Sequence, residues 1–263
     1  MFAFGENWQS FVATVDEAKI LAAEEGLLRL LPRADIAGRR FLDIGCGSGL
    51  SALAALRLGA RQVDALDVDA QSVAAADALL GTFAAGGAWT VRQKSVFDLS
   101  PARDGVYDIV HSWGVLHHTG DLWRALGCAA AMVAPNGRLV VALYRKTPLC
   151  PFWRCEKRLY AGAGPGAQRA ARALYKTAFA AGLLATGRNP ARYVRQYRSA
   201  RGMDWHHDVH DWLGGYPYES TEPASVASFL ARCGFALERS FVHRAAAAGL
   251  FGSHCDEYVA VRR

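Results

Sequence analysis

From residue 40 to residue 144 the chain alternates between two kinds of apolar segment. Short ones, Arg40–Ile44, Val63–Val68, Trp89–Gln93, Tyr107–Trp113 and Arg138–Tyr144, have the length and residue types of buried strands. Between them Leu50–Leu58, Ala70–Leu80 and Leu122–Val133 carry helical periodicity. Strands joined through helices must run parallel, because a parallel pair needs a long crossover connection. The alternation resumes late in the chain with a helix at Ala224–Ala231 and strands at Phe235–Val242 and His254–Val261. The loop between those last two strands is too short for a crossover helix, so they form a hairpin and bring an antiparallel strand to the sheet edge. The expected fold is α/β, with a doubly wound seven-stranded sheet.

Two stretches fall outside this alternation. Residues 8–31 read as one helix ending before Pro32, with Trp8, Phe11, Val12 and Val15 on one face. Residues 146–205 hold no convincing strand and read as two or three helices, broken near Ala161–Gly166 and Gly187–Pro190. The chain therefore divides into an N-terminal helical lid segment (1–36), a sheet domain (37–145 and 220–263) and a helical insertion (146–219). Residues 145–201 carry 13 Lys and Arg against a single acidic residue, Glu156. Such asymmetry suits an anionic substrate, a nucleic acid or simply a solvated helix face. No run of about 18 apolar residues indicates a membrane span, and no leader pattern opens the chain. The six cysteines are too dilute for a disulfide framework and fit reduced thiols in a cytoplasmic protein.

The segment Asp43-Ile44-Gly45-Cys46-Gly47-Ser48-Gly49 closes the first strand and opens the first crossover helix. Glycines there allow a tight turn and the close approach of a ligand to backbone. Asp67 ends the second strand, where an acidic side chain can accept ribose hydroxyls. A dinucleotide site would show G-x-G-x-x-G to seat a pyrophosphate, whereas this chain shows G-x-G-x-G preceded by an acid. Asp43 would repel a pyrophosphate and attract an ammonium. The spacing thus points to a cofactor with an amino-acid tail and an adenosine but no phosphate.

FLDIGCGSG at 41–49, ALDVD at 65–69, KSVFD at 94–98 and DIVHSWGVLHH at 108–118 together resemble the successive cofactor motifs of class I S-adenosylmethionine-dependent methyltransferases. The resemblance implies a Rossmann-like fold. It places Gly45, Cys46 and Gly47 along the methionine part of the cofactor, Asp43 near its amino group and Asp67 on its ribose. Val68, Ser95 and Val96 would bracket the adenine, and Ser112 and Trp113 would form the floor near the sulfonium. FGENWQSF at 4–11, HSWGVLHHTGDLWRAL at 111–126, RGM at 201–203 and DWLGGYPYE at 211–219 extend the likeness to a narrower bacterial family labelled ubiquinone-type O-methyltransferase-like. By that likeness Trp8 and Phe11 belong to a helix folded over the cofactor. The chain departs from the family at Tyr144-Arg145 and at His254-Cys255-Asp256-Glu257, both where substrate is expected.

Methyl transfer from a sulfonium needs alignment, exclusion of water and sometimes a base. His117 and His118, just after the fourth strand, are candidate bases, and Tyr216 is a third candidate catalytic group. Tyr175, Tyr193, Tyr197, Arg198, Arg201 and Glu219 are candidate pocket residues suited to a small anionic or aromatic substrate. His206, His207, His210 and Asp211 have metal-ligand spacing on a helix, but the family likeness does not call for a metal and none is expected. The leading expectation is methyl transfer to an oxygen or nitrogen of a small molecule. A second is a cyclase or lyase that turns S-adenosylmethionine on itself and releases methylthioadenosine. A third is RNA modification, for which the chain offers a basic insertion but no accessory RNA-binding module.

Overall fold

The computed structural model describes residues 5–84, 86–201, 205–242 and 249–263, with backbone only for 6, 7 and 198–201. In chain order the elements are α1 (Gly5–Val12), α2 (Glu17–Leu30), α3 (Arg33–Ile36), β1 (Arg40–Ile44), α4 (Leu50–Arg57), β2 (Gln62–Asp67), α5 (Ala70–Phe83), β3 (Trp89–Gln93), α6 (Pro101–Asp104), β4 (Tyr107–Trp113), α7 (Leu122–Ala131) and β5 (Val133–Tyr144). Then follow α8 (Cys150–Ala161), α9 (Pro165–Ala185), α10 (Pro190–Arg201), α11 (Trp205–Gly214), α12 (Pro223–Arg232), β6 (Phe235–Phe241) and β7 (Cys255–Arg262).

The seven strands form one sheet in the order β3-β2-β1-β4-β5-β7-β6. The first five run parallel to one another, and β7 runs antiparallel between β5 and β6. This is the Rossmann-like doubly wound sheet with an antiparallel pair at one edge. Strand order reverses between β1 and β4, and in such sheets the ligand crevice opens there, at the carboxyl ends of the strands. Apolar clusters fill both faces. Leu42, Val110, Leu126, Val141 and Leu230 pack with α7 and α12, while Ile20, Phe41, Leu53, Val63 and Leu80 pack with α2, α4 and α5.

Two expectations change in detail. The helix anticipated over 8–31 is two helices. Asp16 takes an extended conformation and its carboxylate accepts the Lys19 N–H (2.9 Å), capping a fresh start at Glu17. Just before it the Thr14 hydroxyl donates to the Phe11 carbonyl (2.7 Å), a local bond that competes with helix continuation. The fifth strand begins at Val133 rather than Arg138, with a register shift where Tyr107 pairs Val133 and Ile109 pairs Arg138. Asn136, with φ 61°, makes that irregularity.

The insertion supplies α8 to α11, with breaks between α8 and α9 and between α9 and α10 where the sequence places them. It has an aromatic core of its own, including Trp153, Tyr160, Tyr197, Trp205, Val209 and Tyr218. Its return segment is stitched to the sheet: the Thr221 N–H donates to the Tyr144 carbonyl and the Glu219 N–H to the His117 carbonyl, both at 2.9 Å. Among the described residues, no helix is long and apolar enough to cross a membrane.

Candidate active site

Asp43 sits in the last turn of β1, 2% exposed, directly opposite His111 in the β1–β4 register. His111 Nδ1 donates to Asp43 Oδ1 at 2.8 Å. Asp43 Oδ2 is equally buried and has no hydrogen-bond partner among the described residues. A buried carboxylate oxygen without a donor is costly, at about 1–3 kcal/mol or more for a charged group. His111 escaped the reading of the sequence. The one signal was a polar residue at the midpoint of an otherwise apolar strand.

The glycine loop follows. Gly45 and Gly47 have φ of 72° and 52°, where a side chain is strained. A Cβ at Gly45 would lie 2.4 Å from Val115 Cγ1, and one at Gly47 would lie 2.9 Å from Trp8 Cε2. The loop is fixed by its own backbone: the N–H groups of Gly45 and Cys46 both donate to the Leu66 carbonyl. Asp67 holds it from the side. One carboxylate oxygen accepts the Gly47 N–H and the other the Asp69 N–H, both at 3.0 Å. Each oxygen keeps a lone pair for a further donor. Burial raises the Asp67 carboxyl above its ordinary range. Burial also pushes the Cys46 thiol well up, and the carboxylates of Asp43 and Asp67 add to that push. Cys46 therefore stays a neutral thiol inside a negative field, the field a cationic ligand would need.

The neighbouring strand ends complete the rim. The Lys94 N–H donates to the Asp67 carbonyl (2.8 Å), which brings Ser95 and Val96 beside Val68. Val68 is half exposed, the Ser95 hydroxyl accepts the Phe97 N–H, and the Val96 side chain is buried in the core. Ser112 is sealed, its hydroxyl donating to the Ile44 carbonyl (3.0 Å), so it shapes the end of β1. Trp113 lies at the surface with its indole N–H on Glu257 Oε1 (2.8 Å), a carboxylate that also takes Arg29 (2.6 Å).

Helix α1 lies across this rim. Its first N–H, from Gly5, donates to Asp69 Oδ2 at 2.9 Å. Trp8 rests on Gly47, and Phe11, 1% exposed, packs edge-on between Trp8 and His207 of α11. Burying a phenylalanine is worth about 2–3 kcal/mol, enough to hold so short a helix in place. The Ser10 hydroxyl also meets His207 Nε2 at 3.3 Å.

The histidines after β4 are both held. His117 is fully buried, and its Nδ1 accepts the Tyr144 N–H at 3.3 Å. The proton of the neutral ring then sits on Nε2, which has no partner among the described residues. His117 thus presents a donor and keeps no free lone pair for use as a base. Burial, with the nearby His118 and Lys157, drives its pKa far below the usual range. His118 Nδ1 donates to the Pro217 carbonyl at 2.7 Å, and burial lowers its pKa to about 4. It ties the β4 loop to the Gly214–Tyr218 turn, where Tyr216 is half-buried and its peptide bond to Pro217 is cis.

The other sequence candidates scatter. Tyr175, Tyr193 and Tyr197 pack in the insertion's core, with Tyr175 donating to the Phe251 carbonyl and Tyr197 to Asp208. Glu219 caps α7 by accepting the Leu122 N–H (2.9 Å). The side chains of Arg198 and Arg201, with the rest of the RGM run at 202–203, lie outside the described residues. The histidines of α11 diverge. His206 meets Lys176, His207 meets Ser10, and His210 meets Tyr160 and Arg172. Among the described residues no group of three or more metal-ligating side chains converges.

A family model described as a methyltransferase domain matches residues 16–219. The chain belongs to the methyltransferase-domain family. The ubiquinone biosynthesis O-methyltransferase of Xanthomonas euvesicatoria pv. vesicatoria (strain 85-10) is 34% identical over 116 residues, which are 44% of this chain and 47% of the relative. The chain thus spans about half the length of the curated relatives it matches. Among solved structures, magnesium protoporphyrin IX methyltransferase from Synechocystis PCC 6803 with bound SAH has a TM-score of 0.58 at 16% identity, covering 98% of this chain and 93% of that one. An S-adenosylmethionine-dependent methyltransferase from Mesorhizobium loti has a TM-score of 0.54 at 20% identity, covering 91% and 98%. At these identities the structures speak for the fold, and they share the Rossmann-like sheet of this methyltransferase domain.

Proposed function

We propose that the chain uses S-adenosylmethionine to methylate an oxygen of a small molecule. The observation that carries this reading is the unpartnered, buried Asp43 Oδ2 beside the glycine loop. An α-ammonium is the donor it lacks, and the negative field around Cys46 suits a cofactor carrying both an ammonium and a sulfonium. The two remaining lone pairs of Asp67 suit a pair of ribose hydroxyls. Gly45, Cys46 and Gly47 give the methionine part access to backbone. In this reading Val68 and Ser95 flank the adenine with Val96 packed behind them, and Trp113 lies on the floor that the sealed Ser112 supports. When bound, the cofactor supplies a methyl group already activated by positive sulfur, so the chain's own task is to bind, orient and exclude water.

In this reading residues 1–36 act as a lid, with Trp8 and Phe11 closing the cofactor site. Residues 37–145 and 220–263 hold the cofactor, and the insertion at 146–219 shapes the acceptor side. His117, His118 and Tyr216 border that side. The O-methyltransferase relatives favour oxygen as the acceptor atom. None of the relatives or structures described above is a cyclase or lyase.

The test is direct. Titration of the full chain with S-adenosylhomocysteine should give saturable heat. Incubation with S-adenosylmethionine alone, followed by mass spectrometry, should return the cofactor intact. Addition of a competent small acceptor should yield S-adenosylhomocysteine and a methyl ether or ester. Methylthioadenosine formed at turnover from the cofactor alone would overturn methyl transfer in favour of self-cyclisation or elimination.

A further inference from the structure

Lys157 of α8 is fully buried, yet its Nζ has no hydrogen-bond partner among the described residues. It lies 3.6 Å from the centre of the Trp212 ring and 5.4 Å from that of Tyr218. Such cation–π contacts favour the ammonium, but they leave its N–H donors without acceptors. His117 Nε2–H is a second buried donor without an acceptor. The two belong to one aromatic cluster. The His117 ring stands 3.8 Å from Tyr144, and Tyr144 stands 5.3 Å from Trp212 and 5.4 Å from Tyr218. Lys157 also acts electrostatically on both His117 and His118.

The surrounding charges do not complete the site. Glu156, the preceding residue of α8, acts on Lys157 through its field but makes no hydrogen bond with it among the described residues, and its own Oε2 is buried without a donor. Asp211 of α11 reaches Lys157 through its field. Tyr218 of the return turn and the two histidines also lie within its reach. Burial lowers the Lys157 pKa and raises that of Glu156, and their attraction for each other only partly offsets it. The arrangement is an excess of buried donors inside flat aromatic walls. Buried donors normally find an acceptor, and these have none among the described residues.

We infer that Lys157 and His117 form an anion subsite on the acceptor side, which takes the carboxylate of a small aromatic acid against the packed rings of Tyr144, Trp212 and Tyr218. The inference rests on the methyltransferase reading for the site's purpose, while its binding chemistry can be measured by itself. A carboxylate oxygen is the acceptor such donors lack, and its bond to the lysine would be charge-assisted. The aromatic walls match a planar ring. Since the lysine is drawn toward its neutral form when the site is closed, binding an anion should be accompanied by proton uptake.

The test uses the full chain saturated with S-adenosylhomocysteine, titrated calorimetrically with benzoate and with its neutral isostere benzamide. Benzoate should bind at least about tenfold more tightly, the margin of a charge-assisted bond over a neutral one. In buffers of different ionisation enthalpy, its heat should reveal proton uptake. Lys157→Met should abolish the preference by weakening benzoate while leaving benzamide unchanged, an outcome that a merely structural lysine would not give. Equal affinity of the unaltered protein for the two probes would overturn the inference, as would no benzoate binding up to about 10 mM. A preference that survives Lys157→Met would overturn it too. The ratio measured on the unaltered protein decides the matter even if the variant fails to fold. The S-adenosylhomocysteine titration that precedes each run separates the two readings: cofactor binding without benzoate preference defeats only the subsite.

Discussion

The two sides of the carboxyl edge are opposites in what they lack. Beneath α1, Asp43 holds a buried acceptor with no donor. On the other side, His117 after β4 and Lys157 of α8 hold buried donors with no acceptor among the described residues. Both are costly to a folded chain, and each is relieved by a ligand of the opposite sign. A cationic cofactor on one side and an anionic acceptor on the other would attract each other across the site where the methyl group passes. Their separation also keeps each ligand out of the other's site. The first half repels anions through Asp43 and Asp67, and the second repels cations through Lys157.

The comparison breaks most sharply at Asp43. Asp43→Asn keeps an oxygen for the His111 Nδ1–H, so the fold should persist. It removes the charge that faces the ammonium. Affinity for S-adenosylhomocysteine should fall about 100-fold, roughly 3 kcal/mol, the scale of a lost charge-assisted bond in a buried site. Lys157→Met, on the other side, should change that affinity by less than about twofold, since contacts without shared partners act additively. Isothermal titration of both variants checks the pair. Equal losses would mean one continuous site in place of two opposed ones.

Acid should act on the donor side. The His118 pKa in the fold is lowered to about 4 by burial, below the ordinary value of about 6.5 that the unfolded chain would show. The unfolded state therefore binds the proton first. The stabilisation is complete above about pH 6.5 and is lost as pH falls through about 4, up to roughly 3 kcal/mol from this one ring. His117, lowered by the same burial, adds in the same direction. His118→Asn retains an N–H for the Pro217 carbonyl and removes the titration. Urea melts between pH 7 and 4 should show a shallower acid loss for the variant. An identical slope would assign the acid loss to other groups.

The two sides were not equally legible. The cofactor side follows from residues close in sequence, and its geometry is set by backbone: a strand end, glycines at positive φ, and an acid at the next strand end. Short motifs describe such sites well. The donor cage joins residue 117 to residue 157 and residue 212, and no spacing rule links them. Lys157 is one of 13 basic residues in 145–201, where a charge run usually means a solvated face. Only burial distinguishes it. The same limit applies to the tyrosines at 175, 193 and 197, whose types suited a pocket but whose packing serves the insertion's own core. At α1 the apolar face is legible, but the Asp16 cap that splits the helix is not, because its acid looks like any other polar residue on a helix surface.

The smallest expected effect concerns the cover over the cofactor side. Trp8 is only part-buried, and its indole rests on Gly47, while Phe11 and the Gly5–Asp69 bond hold α1 in place without it. Trp8→Ala should therefore leave α1 docked and remove only a wall. A loss of about fivefold in S-adenosylhomocysteine affinity, roughly 1 kcal/mol, is the scale of part of an aromatic face taken from a ligand. The sign is the informative part. Weaker binding means that Trp8 covers the cofactor and the acidic side is built to close over its ligand. Tighter binding would mean that the indole stands where the methionine part must go. In that case α1 must shift before the cofactor enters, and the asymmetry between the two sides would lie in their gating as much as in their charge.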